Sequence, residues 1–204
     1  RENMATLLEN QAAQLLREAN TLGTGGAAQT IFDADGKNNF FYMSSNADTV
    51  TVFDGITFKN GKSTQSGGAF TFYSYSRVDF RNSTFEKNKG AYSGGAVLVG
   101  GDAVVNFESC TFRENEAENE GGAISFQNPY NNDKVRNGYA VVSNSTFIRN
   151  AVKSDDEAKG GAIHSRRQIE ITNSLFANNY AEGGDGIYGY NVSGGALSID
   201  IAYY

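Results

Sequence analysis

Three carboxylates raise the first chemical question. Asp79, Glu108 and Glu170 each sit in a run where apolar and polar residues alternate, at positions that face away from a core. Hydrolysis or lysis of a polysaccharide needs convergent acids, about 5–10 Å apart. These three are interspersed with Arg81, Asn106, Val141, Ser143 and Thr172 on equivalent outward positions, so they read as a solvated surface. His164 is the only histidine, and the alternation turns it outward between Ile163 and Ser165 as an exposed, unpaired ring. No serine or cysteine is placed to use it as a base, and a metal site needs more ligands. Cys110, the single cysteine, excludes an internal disulfide. It stands where other segments have Ser83, Ser145 and Ser174, which predicts a small, buried, inert filler. Asp33-Ala34-Asp35-Gly36-Lys37-Asn38 has the acids of a calcium loop but not its closing Glu, and it reads as a turn. Ser154-Asp155-Asp156-Glu157 reads as an acidic, solvated stretch. The expectation is a non-enzymatic chain with no catalytic set, no metal site and no cofactor.

The elements that hold these residues are repeats. A Phe-x-x-Asn element recurs at Phe85–Asn88, Phe112–Asn115, Phe147–Asn150 and Phe176–Asn179, preceded by a shorter Phe58-Lys59-Asn60. A Gly-Gly-Ala-apolar element recurs at Gly67–Phe70, Gly94–Val97, Gly121–Ile124, Gly160–Ile163 and Gly194–Leu197. Phe58, Phe85 and Phe112 are 27 residues apart, and so are Gly67, Gly94 and Gly121. Two independent markers therefore keep one register, which then breaks at insertions 127–139 and 151–159. Within each repeat the period is two, giving about three short strands: Val97/Val99, then Val105/Phe107, then Phe112 face one way.

One such repeat cannot close a core, but stacked copies place like residue on like residue at the ~4.8 Å strand spacing. The phenylalanines then form an internal ladder. The asparagines form a corner ladder in which each amide bonds the next coil, and the glycine pairs form a corner of positive φ or close approach. This predicts an all-β, right-handed parallel β-helix of about five to six coils over 23–204. Residues 1–22 differ: Met4, Leu8 and Leu15 lie on the apolar face of an amphipathic α-helix, a cap on the first coil or a docking segment.

The interleaved FEKN and GGAV, FREN and GGAI, FIRN and GGAI, and FANN and GGAL resemble the polymorphic outer membrane protein repeat first named in chlamydiae. The resemblance covers about residues 50–200. VFDGITFKNG at 52–61 is also similar to the coil opening of pectin-lyase-like β-helices. The resemblance implies a right-handed β-helix and, in chlamydiae, an adhesin on the cell surface. The N-terminal helical segment lies outside the repeat.

Bulk properties narrow the partner. The net charge of −6 and the lack of any basic cluster beyond Arg166–Arg167 argue against nucleic acid. No apolar run reaches the ~20 residues of a membrane span. Regular threonine rows of the kind a flat ice-binding face needs are not evident. Tyr130 and Tyr139 in the first insertion, and Tyr188, Tyr190, Tyr203 and Tyr204 near the C-terminus, are candidate contacts with a protein partner, as are the apolar residues of the N-terminal helix. Three functions follow: an extracellular or surface module binding a protein or glycan; alternatively a scaffold or linker in a large organellar assembly; and, third, a carbohydrate-active enzyme.

Overall fold

The computed structural model describes residues 30–45, 49–128, 140–183 and 192–200. They form a parallel β-solenoid of about five turns. The predicted helix at 1–22 and most of the insertion at 127–139 lie outside the described residues.

Every strand pairs in parallel with its equivalent one turn away. The phenylalanine face stacks Thr30–Asp33, Ile56–Lys59, Thr84–Glu86, Thr111–Arg113, Thr146–Ile148 and Leu175–Ala177. The glycine face stacks Phe41–Ser45, Phe70–Ser74, Val97–Val99, Ile124–Phe126, Ile163–Ser165 and Leu197–Ile199. A third, five-stranded face stacks Val50–Asp54, Arg77–Arg81, Val104–Glu108, Ala140–Ser143 and Ile169–Thr172. The expected three strands per repeat are thus present, joined by a short fourth. That fourth sheet runs from Lys62–Ser63 to Tyr180–Glu182 and includes Ala151–Lys153. Residues 151–153 are therefore a rung and not part of a loop, because they directly follow the corner Asn150 as Lys89–Gly90 follows Asn88. The chain lengthens only at 154–157, before a further small strand, Ala158–Lys159, pairs with Val192–Ser193.

The core is a set of columns. Phe58, Phe85, Phe112 and Phe147 are fully buried. Phe85, Phe112, Phe147 and Phe176 stack face to face with centroids 4.6–4.7 Å apart. That spacing is the pitch of the strands, so backbone pairing imposes the ring geometry. Phe53, Phe80 and Phe107 form a second column, closed by Val142.

At the first corner the residue before each ladder asparagine is left-handed: Lys87, Glu114, Arg149 and Asn178 all have φ between 52° and 57°. The amide behind it then reaches along the stack. Asn115 Nδ2 donates to Phe85 O at 3.0 Å and to Asn150 Oδ1 at 2.9 Å, while its Oδ1 accepts from Asn88 N and Nδ2. Phe58-Lys59-Asn60 fits this frame differently from its spelling. Asn60, with φ 56°, takes the left-handed slot, and Gly61 takes the ladder slot, where its N–H donates to Asn88 Oδ1. One threonine column also exists, contrary to expectation: Thr57, Thr84, Thr111 and Thr146 lie in register on the phenylalanine face. The next outward column is charged, with Arg113 on Glu86 at 2.7 Å, so the face is not a uniform threonine plane.

Candidate functional site

The outward row of the glycine face is Tyr42, Thr71, Leu98, Ser125, His164 and Ser198, all in register. Outward side chains on a solenoid should be wet, yet every member from Thr71 to Ser198 is buried, and His164 is 0 % exposed. The expectation of an exposed His164 is therefore corrected. Two walls explain it. One is the residue ahead of each glycine pair: Ser66, Ser93, Glu120, Lys159 and Ser193, stacked through parallel bridges and backbone bonds. The other is the residue after each inward strand end: Tyr73, Gly100, Gln127, Arg166 and Asp200. Together they make a groove that runs along the stack, with the outward row as its floor.

Over the later coils the walls are tied together. Arg166 Nη2 donates to Glu120 Oε1, and Gln127 Nε2 donates to Glu120 Oε2 at 3.0 Å and to Ser125 Oγ at 2.7 Å. Lys159 Nζ bonds both Glu157 at 2.9 Å and Asp200 at 3.0 Å. Burial works against the Lys159 charge, but these two carboxylates outweigh it and raise its pKa. Asp200 is held below the usual carboxylate range, chiefly by the Lys159 hydrogen bond. Beneath the bridges, neither ring nitrogen of His164 has a hydrogen-bond partner, and Nε2 lies 3.8 Å from Glu120 Oε1. Burial pushes the His164 pKa down, against the pull of Glu120 and Asp200, so the ring is neutral near pH 7.

Over the earlier coils no ion pair among the described residues spans the groove. There it opens into a depression of about 350 Å³ lined by Ser66, Tyr73, Ser93, Leu98, Asn119 and the Glu120–Gln127–Arg166 cluster. The Tyr73 ring occupies the space that a Cβ at Gly100 would need, and it contacts the Tyr42 ring, 5.9 Å between centroids. Tyr42 and Tyr92 beside the walls are exposed.

The other candidates resolve simply. Asp79 accepts from Arg81 at 3.1 Å and from Asn106 at 3.0 Å, and Arg81 also approaches Glu108 at 3.9 Å. Glu170 is exposed and pairs in register with Val141. Cys110 is buried; its thiol contacts Glu108 O and Phe80 O, and burial pushes its pKa up to about 12. Asp33 is used in its own turn: Asn60 Nδ2, Asp35 N and Lys59 all bond it and lower its pKa to about 2. Among the described residues no group of three or more His, Cys, Asp or Glu side chains could hold a metal. No helix among them is long and apolar enough to cross a membrane.

The proposed contact residues Met4, Leu8, Leu15, Tyr130, Tyr139, Tyr188, Tyr190, Tyr203 and Tyr204 all lie outside the described residues. The groove itself escaped sequence reasoning. Its signal is the residue just ahead of each Gly-Gly and the residue just after each inward strand end. Arg167, seen only as half of a basic pair, is a buried clamp. Its guanidinium donates to Ala103 O and Gly101 O at 2.8 Å, and to Val99 O and Gln127 O, with burial lowering its pKa to about 10.

With the coil geometry in place, the comparison with known families is direct. Residues 109–127 match the Chlamydia polymorphic membrane protein repeat. That stretch holds one Phe-x-x-Asn corner, Phe112–Asn115, and one glycine pair, Gly121–Gly122, so the repeat corresponds to the two corners that define a coil here. No curated protein and no solved structure gives a significant match.

Proposed function

We propose that this solenoid is a non-catalytic, adhesin-like module of a cell surface that engages its partner through the groove of the glycine face. The observation that carries the reading is the depression itself. It combines half-buried tyrosine and serine and an exposed asparagine with one fixed Arg–Glu–Gln cluster, the composition of a binding surface. The carboxylate that lines it, Glu120, is engaged by Arg166 and Gln127, and Asp79 on the neighbouring face is engaged by Arg81 and Asn106. These are bonds of positioning and not of an acid–base pair poised for turnover. The repeat match at 109–127 supports an outer-membrane or surface location.

The test is adhesion of the purified chain to cells sharing its natural environment, with Tyr73→Ala/Arg166→Ala as the comparison. Saturable binding weakened by that substitution supports the reading. Turnover of a polysaccharide, abolished by replacing Asp79, Glu108 and Glu170 together, would replace it with the enzymatic one.

A second reading, a scaffold or linker subunit, has its own observation. The last described coil presents the edges of its strands and leaves the core residues Leu197 and Ile199 exposed, as it does Leu175 and Tyr180 on its other sheets. Native capture from the source, followed by mass spectrometry, separates the two: a stoichiometric complex that residues 1–22 are needed to join favours the scaffold.

A further inference from the structure

We propose that the depression between Tyr73 and the Glu120–Gln127–Arg166 cluster is a subsite for a neutral saccharide. This rests on the binding-module reading and names the ligand class for the same groove.

Four observations converge on that chemistry. The first is size. About 350 Å³, open on one side, falls within the roughly 300–1,000 Å³ range of small-ligand sites. A protein partner gripping through this feature alone would bury far less than the ~800 Å² per side of a stable interface.

The second is the pairing of donors and acceptors. The Glu120 carboxylate and Gln127 Oε1 accept and the Arg166 guanidinium donates, all within one bonded cluster whose two Gln127 amide protons are held by Glu120 and Ser125. Neighbouring hydroxyls of a sugar ring each donate and accept, and they need this mixture side by side. The cluster is already frozen. Glu120 is 9 % exposed on its side chain and is held from two sides, so little rotamer freedom is lost on binding.

The third is charge. Among the described residues lining the depression Arg166 is the one cation, and it already carries Glu120 as its counter-ion; with a net charge of −6 on the chain, an acidic sugar or phosphate would there meet a repelling carboxylate. A purely apolar ligand would strip water from Glu120 and Gln127 without replacing its bonds.

The fourth is the platform. Gly100 leaves room for the Tyr73 ring, and Tyr42 packs beside it. Tyr73 thus offers a positioned aromatic surface for the C–H face of a sugar, next to Leu98 on the floor.

The experiment uses the full chain on an array of neutral glucan, mannan, galactan and xylan oligosaccharides, beside uronate and sulfated counterparts. Binding to at least one neutral class is expected, with the acidic counterparts weaker. Tyr73→Ala should lower affinity about tenfold. Ser93→Tyr, which fills the depression from its rim and leaves the charged cluster intact, should abolish binding in a chain whose far-UV circular dichroism is unchanged. Array binding that both substitutions leave unaltered overturns the site. A silent array from a chain that still adheres to cells overturns the saccharide but leaves the module reading, with a protein loop as the groove's ligand. Silence in both assays removes the module reading as well, and the saccharide with it.

Discussion

At the scale of single residues, the least replaceable side chains are those that satisfy another coil's backbone. The side chain of Asn115 makes four hydrogen bonds along the stack from full burial. Asn115→Ala removes them all and leaves Asn88 N buried without a partner, at about 1–3 kcal/mol for an unsatisfied group, while Phe85 O loses one of its two bonds and keeps the one from the strand paired with it. A loss of about 3 kcal/mol or more in chemical denaturation is expected; a loss below about 1 kcal/mol would show that water replaces the ladder. His164 gives a different prediction, because it is a buried neutral ring whose pKa lies below the ordinary value of 6.5. The unfolded chain takes up a proton at this residue as pH falls through about 6.5, and the folded chain does not, so this contribution to stability is present above 6.5 and is lost as pH drops, until the folded pKa is reached. Glu120 and Asp200 limit the loss by favouring the charged ring, while Arg166 and Lys159 increase it. His164→Ser, which restores the residue type of Ser125 one coil earlier, should flatten the decline in stability between about pH 7 and about pH 5. An unchanged slope would place the acid sensitivity elsewhere.

At the scale of the element, both glycines of each pair exclude a side chain, Gly121 against the Ile124 backbone of its own coil and Gly122 against the next coil. Gly121 has φ 62°, the left-handed conformation that closes the corner. Gly122 is there for space: a Cβ would meet Ala151 C and O on the next coil at 2.5–2.6 Å, and Gly161 O as well. Gly122→Ala must therefore push two coils apart, and it should prevent folding or yield insoluble protein. Gly36→Ala is the control, since φ 69° is the only penalty and nothing lies within 4 Å; it should cost about 1 kcal/mol. Equal behaviour of the two variants in a soluble-expression and thermal-melt comparison would contradict the spacing argument. These corners were legible in the sequence because their demands are absolute: a left-handed turn or a backbone contact admits few residue types, and Phe85, Phe112, Asn88 and Asn115 recur with them every 27 residues. The groove was not legible, because its walls tolerate any residue that bonds across. Glu120 meets Arg166 from 46 positions away, and nothing in either's local sequence announces the other. His164 was misplaced for the same reason: alternation gives the direction of a side chain, not what lies over it.

At the scale of the whole molecule, each coil pairs its strands only with those of its neighbours, so stability should vary along the stack and not be shared evenly. The central coils are sandwiched. Phe112 lies between Phe85 and Phe147 with both rings near 4.6–4.7 Å, and its exposure is 0 %. The last described coil has a neighbour among the described residues on one side only. Phe176 rests on Phe147 but is only partly buried, and Leu197 and Ile199, which continue the buried columns through Ile163 and Ser165, are 36 % and 47 % exposed. Amide exchange should therefore be slowest in the strands at 84–86, 97–99, 111–113 and 124–126, and fastest at 169–172, 175–177 and 197–199. The same gradient predicts the energetics of the phenylalanine column. Phe112→Ala opens a cavity inside a closed stack and should cost about 3–5 kcal/mol globally, whereas Phe176→Ala removes a ring already partly in water and should cost clearly less while accelerating exchange only in its own coil. Uniform protection from 30 to 200, or equal penalties for the two substitutions, would mean that the terminal coil is covered in solution. In that case the exposed Leu197 and Ile199 would mark a surface occupied by a further segment or a partner, and the scaffold reading would gain over the adhesin-like one.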